Sequence, residues 1–129
     1  MGSVVERFNA IRWHDSKFLA IRIYRSAEGE EVRIETKLWN ERRELVPTTV
    51  AFKEPTYVKA EIDLEGKRFC SDDIADGECK ESSDWIKELI AQNPYDSFEG
   101  YLHFGIWLIS PGGTIDILAK DFVLEVHEV

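Results

Sequence analysis

The run Trp13-His14-Asp15-Ser16 sets three residue types of hydrolytic chemistry side by side. Adjacent His and Asp serve metal-dependent phosphohydrolases, but those sites need further His and Asp ligands, and no second His/Asp pair occurs in the chain. Nor do Ser, His and Asp in immediate succession make a triad, because neighbouring side chains diverge instead of hydrogen-bonding in a line. The expected role of the run is structural, with Asp15 capping a turn and His14 packing beside Trp13. A small hydrolase using His14 and Asp15 is the alternative. The histidines are His14, His103 and His127. With Asp15 they match the ligand number of a zinc site but not its spacing, so no metal is expected. Asp72 to Glu78 has the acid density of a calcium loop. Counted from Asp72, however, the third position is Ile74 and the twelfth Ser83, where oxygen ligands are required. No phosphate-binding glycine loop and no Gly-x-Ser-x-Gly elbow is present, so no catalytic residue and no cofactor is assigned.

Charge is the stronger signal. The net charge is −9, and residues 61–99 carry twelve acids against Lys67, Arg68, Lys80 and Lys87, a local balance of −8. Such a field repels phosphate backbones and attracts a basic surface, which predicts a basic protein partner and no nucleic acid. The expected contact residues are Asp72, Asp73, Asp76, Glu78, Glu81 and Asp84, in a polar loop from Ser71 to Ser83 and the helix start that follows. Glu88 joins them one turn beyond Asp84. Tyr101 to Ile109 is far shorter than the roughly 20 apolar residues of a membrane-crossing helix, so no membrane is expected. Met1-Gly2-Ser3 reads as an appended or disordered start, and no basic-then-apolar export pattern follows, which points to the cytoplasm. There, Cys70 and Cys79 should be free thiols.

These residues need elements to hold them. The chain has 129 residues, 43% of them hydrophobic and 32% charged, with four Trp, four Tyr and seven Phe, the mixture of one soluble globular domain. Ser3 and Glu6 form a capping-box pattern before Val4, Val5, Phe8 and Ile11, which predicts a short opening helix. Period-two alternation then runs through Leu19, Ile21 and Ile23, and through Val32, Ile34, Thr36 and Leu38, making a hairpin about Ala27 to Glu30. Asn40 to Glu44 is a charged turn. Thr48, Val50 and Phe52 suggest a third strand, and Val58, Ala60, Ile62 and Leu64 a fourth, with a short one near Arg68 to Cys70. Ser82 or Ser83 can cap a helix over 83–92 whose apolar stripe is Trp85, Ile86, Leu89 and Ile90. Residues 102–108 are apolar on both faces, so that strand should be covered on both sides. A turn at Ser110 to Gly113 leads to the return strand, and the parity change at Ala119-Lys120-Asp121 suggests a bulge.

The predicted fold is mainly β with some helix: an antiparallel sheet or two-layer β-sandwich of six to eight strands with one packed helix. Expected core residues are Leu19, Ile21, Ile23, Val32, Ile34, Leu38, Val58, Ile62, Trp85, Leu89, Leu102, Phe104, Ile106, Leu108, Phe122 and Leu124. The Trp13-His14-Asp15-Ser16 opening and the Phe18 to Tyr24 strand after it resemble the start of several small bacterial β-rich proteins. Some of those are of unknown function, and some are grouped with immunity proteins of polymorphic toxin systems. The resemblance implies a non-enzymatic protein-binding module and carries no functional residue onto this chain. A different class of function is a sandwich or barrel holding a small apolar or sugar ligand, with Phe18, Trp39, Tyr101 and Trp107 as lining.

Overall fold

The computed structural model describes residues 2–62, 73–109 and 112–127. The described residues form eight strands and two helices. In chain order these are α1 (Val4–Asn9), β1 (Lys17–Ser26), β2 (Gly29–Trp39), β3 (Leu45–Lys53), β4 (Tyr57–Ile62), β5 (Ile74–Lys80), α2 (Asp84–Gln92), β6 (Leu102–Leu108), β7 (Gly113–Ala119) and β8 (Asp121–Val126). The strands make two four-stranded antiparallel sheets. Sheet A has the order β1-β2-β3-β8 and sheet B the order β4-β7-β6-β5. The predicted two-layer fold is the one observed. Leu64, the strand expected near Arg68 to Cys70, and Ser110 and Pro111 lie outside the described residues.

The core lies between the sheets and is aromatic. α1 closes one end of the sandwich, its Ser3 hydroxyl accepting the Glu6 amide as the capping box requires. From that helix Phe8 inserts fully buried, its ring centroid 5.0 Å from Phe104 and 5.1 Å from Phe122, both near edge-on. Edge-to-face contacts set the electropositive ring edge on a neighbour's electronegative face, adding to the apolar area buried.

Two corners join the sheets. At the first, Lys120 donates its amide to the Lys53 carbonyl and Thr56 donates to Leu118, so the β3–β8 pair runs on into the β4–β7 pair. The parity change read as a bulge at Ala119 to Asp121 is this change of sheet: β7 ends at Ala119 and β8 starts at Asp121 on the other layer. The second corner is the Trp13-His14-Asp15-Ser16 run. Asp15, at a left-handed φ of 65°, donates its amide to the Ile74 carbonyl, and Ile74 donates back to Ser16.

Strict alternation misplaces part of the core. Phe18 and Ile21 both pack on it, because the pairing of β1 with β2 slips between Phe18 and Ala20 and leaves Leu19 as the extra residue of a bulge. Leu19 is therefore 53% exposed. Ile23 and Leu124 keep the predicted face, yet they are 59% and 39% exposed, each lining an open groove. The remaining expected core residues are buried or packed against buried ones.

The predicted loop from Ser71 to Ser83 is overturned, because Ile74–Lys80 is strand β5. Two features hid it. The register with β6 slips between Ile74 and Asp76, breaking the alternation. At Gly77 the apolar filling comes from Trp13, whose ring atoms lie 2.7 to 2.8 Å from where a Cβ would stand. The free edge of β5 is also sealed. The Asn9 side chain accepts from the Cys79 amide at 2.7 Å and donates to the Cys79 carbonyl at 3.2 Å, as a paired strand would.

Candidate functional site

Sheet B has a second apolar layer outside the sandwich. α2 is capped by the Ser83 hydroxyl, which accepts the Ile86 amide at 3.2 Å. It lays Ile86 and Leu89 on Leu118, with Trp85, Tyr57, Phe98 and Tyr101 around them. This accounts for the two apolar faces of β6. Phe104, Ile106 and Leu108 turn into the sandwich, and alternation puts His103, Gly105 and Trp107 on the outer face.

That outer face carries the candidate site. His103 bridges two partners: its Nδ1 lies 2.8 Å from the Ser83 hydroxyl and its Nε2 2.6 Å from Asp116 Oδ1. The His103 and Asp116 side chains are only 16% and 18% exposed. Antiparallel register sets Asp116 opposite Gly105, one diagonal step from His103. A Cβ at Gly105 would stand 3.5 Å from Asp116 Oδ1 and 3.3 Å from the Trp107 ring, so the glycine leaves the room in which both side chains lie. The Trp85 ring meets His103 at 4.8 Å, and Lys59 Nζ stands 5.4 Å from the Trp85 ring centre.

Two of the acids singled out from the sequence, Asp76 and Glu78, lie on this face. Asp76 pairs in register with Trp107 and Glu78 with Gly105, which puts both acids along the outer side of β5. Glu78 also meets Lys80 at 3.1 Å, in an exposed pair worth roughly 0–1 kcal/mol. Glu81 and Asp84 are exposed beside the first turn of α2, and Glu88 is exposed one turn further along. Asp73 is not with them: it is mostly buried and ion-paired to Lys17 at the second corner. Asp72 lies outside the described residues. Trp107, 36% exposed, is the large apolar side chain opposite Asp76.

The other sequence candidates disperse. His14 is exposed, with Nδ1 3.2 Å from the Ala75 carbonyl and Nε2 3.4 Å from Asp15. Trp13 instead is buried and donates Nε1–H to the Phe8 carbonyl. Phe18 packs on the core, Tyr101 on the α2 layer, Trp39 beside an open groove and Trp107 on the outer face, so the four line no common cavity. Among the described residues no group of three His, Cys, Asp or Glu side chains converges as a metal site would need, and no helix is long and apolar enough to cross a membrane. The Cys79 thiol is buried and free, and burial, helped by Glu81 and Glu78, pushes its pKa up to about 12. Cys70 lies outside the described residues.

The sequence reading missed the Ser83–His103–Asp116 line, although each residue had a visible role: a helix cap, an outer position on one strand and an outer position on the next. Comparison with protein families, known proteins and solved structures finds no match for the chain.

Proposed function

We propose that this protein is a protein-binding module of the bacterial cytoplasm that receives a basic protein on the outer face of sheet B. The carrying observation is Trp107, a ring 36% exposed with Asp76 opposite it and Glu78 further along β5, followed in the chain by the exposed Glu81, Asp84 and Glu88. A large aromatic anchor inside a charged rim is the usual composition of a binding hot spot, and the acidic field speeds encounter with a positive partner. An immunity-like role, with a basic toxin as partner, is the sharpest form of this reading. The test is quantitative capture at low and high salt with the wild type, Trp107→Ala, and the joint reversal Asp76→Lys/Glu78→Lys. Basic proteins should be retained at low salt, released by salt, and lost with either variant. Stopped-flow association should then show the reversal slowing the on-rate, while Trp107→Ala speeds dissociation. Capture that both variants leave unchanged refutes the site.

A second reading rests on an open groove of about 340 Å³ between the end of α1 and sheet A, lined by Ile11, Leu38, Trp39, Val46, Leu124 and Val126. Its size and apolar lining suit a small apolar ligand. An anilinonaphthalene sulfonate probe should brighten on binding there, and Leu124→Glu should abolish the signal.

A further inference from the structure

We propose that Ser83, His103 and Asp116 form a nucleophilic relay able to cleave small carboxylic esters, an activity beyond the binding role above. The proposal stands on order and spacing. Asp116 is 2.6 Å from His103 Nε2, and the Ser83 hydroxyl is 2.8 Å from Nδ1 on the opposite side of the same ring. A carboxylate against Nε2 holds the proton on that nitrogen and leaves Nδ1 with a bare lone pair, so the Ser83 O–H donates to it. This is the chain of roles that activates a serine, with the two ring nitrogens exchanged relative to the commonest arrangement. Capping α2 requires only that the Ser83 oxygen accept the Ile86 amide. It does not require a largely buried carboxylate behind a largely buried imidazole, a pair that is costly to desolvate.

The surroundings fit the chemistry. Ser83 is only half-buried. The next two residues, Asp84 and Trp85, open α2, and amides in a first helical turn have no intrahelical acceptor. The amide following the nucleophile is a recurrent donor to an oxyanion. In the forward step the Ser83 oxygen attacks the ester carbonyl carbon while its proton passes to His103 Nδ1. The tetrahedral adduct then collapses, the carbon–alkoxy bond breaks, and His103 returns the proton to the departing alkoxide. Water adds to the acyl-serine by the same route, giving the carboxylic acid and free Ser83. The substrates proposed are esters with short acyl groups.

The test is covalent. The full chain is incubated with diisopropyl fluorophosphate and mapped by peptide mass spectrometry, and turnover is read with p-nitrophenyl acetate. The expected result is one adduct on Ser83 and an initial burst of nitrophenol. Ser83→Asn keeps a good helix cap and should abolish both. Asp116→Asn, which allows the wrong tautomer, should slow labelling at least about 100-fold with the fold intact by circular dichroism. A cap held by a hydrogen-bonded histidine predicts neither effect. No Ser83 adduct on the folded wild type, or equal labelling rates in Asp116→Asn, overturns the proposal.

Discussion

Replacing Gly77 by Ala tests the claim that Trp13 belongs to the core and to the corner beside it. A Cβ built there lies 2.7 Å from Trp13 Cε2 and 2.8 Å from both Cδ2 and Nε1. Optimal carbon contacts are about 3.5–4.0 Å, so the indole must retreat by roughly 1 Å. It has little room to do so. Its Nε1–H is bonded to the Phe8 carbonyl at 3.1 Å, and its ring lies 4.8 Å from the Phe8 ring, itself wedged against Phe52, Phe104 and Phe122. Overpacking of this kind costs about 1–3 kcal/mol, and a rigid bicyclic neighbour belongs at the upper end. Gly77 is outside the left-handed region, so alanine also recovers about 0.4–1 kcal/mol from a less disordered unfolded chain. The net loss is about 2 kcal/mol, a fall of about 6–8 °C in Tm for a domain of this size. Urea unfolding of the four-member cycle with Trp13→Leu isolates the contact. In the leucine background Gly77→Ala should cost no more than about 0.5 kcal/mol, because the overlapping ring is gone. Equal losses in both backgrounds would refute the packing argument and leave Trp13 free for another role.

Asn9→Ala should remove about 2 kcal/mol, since the Cys79 amide and carbonyl would lose their partners on an otherwise sealed edge; hydrogen exchange at the Cys79 amide should accelerate with it. In a Cys70→Ser background, Cys79 should resist iodoacetamide at pH 8 in the folded protein and react promptly in urea. The raised thiol pKa also has a sign. Its contribution to stability is complete below about 9, where both states hold the proton, and is lost as pH rises toward 12 because only the unfolded chain ionises readily. Cys79→Val should flatten the stability profile over that window, and an unchanged slope would show that the thiol is not its source.

Much of the scaffold is legible one residue at a time. The capping serines Ser3 and Ser83, the hairpin of β1 with β2, the two-faced β6 and the helix of Trp85 to Leu89 follow from local rules of capping and periodicity. Those rules act within a few residues, so the chain states them outright. The same holds for the acids Asp76, Glu78, Glu81, Asp84 and Glu88, whose charge needs no fold to be counted. What the tertiary structure alone decided depends on residues distant in sequence. β5 is a strand because Trp13 supplies the bulk that Gly77 lacks and Asn9 pairs its edge, and no window around Ile74 to Lys80 contains either partner. Leu19 lies outside because the pairing with β2 slips there, a choice made by two strands together. Asp73 is withdrawn from the acidic face by Lys17, fifty-six residues earlier in the chain. Ser83, His103 and Asp116 meet because the β6–β7 register and the docking of α2 close separations of 20 and 13 residues to hydrogen-bond length. Side-chain type and local period are properties of the chain, whereas a relay is a property of distances that exist only once the sheets have paired and packed.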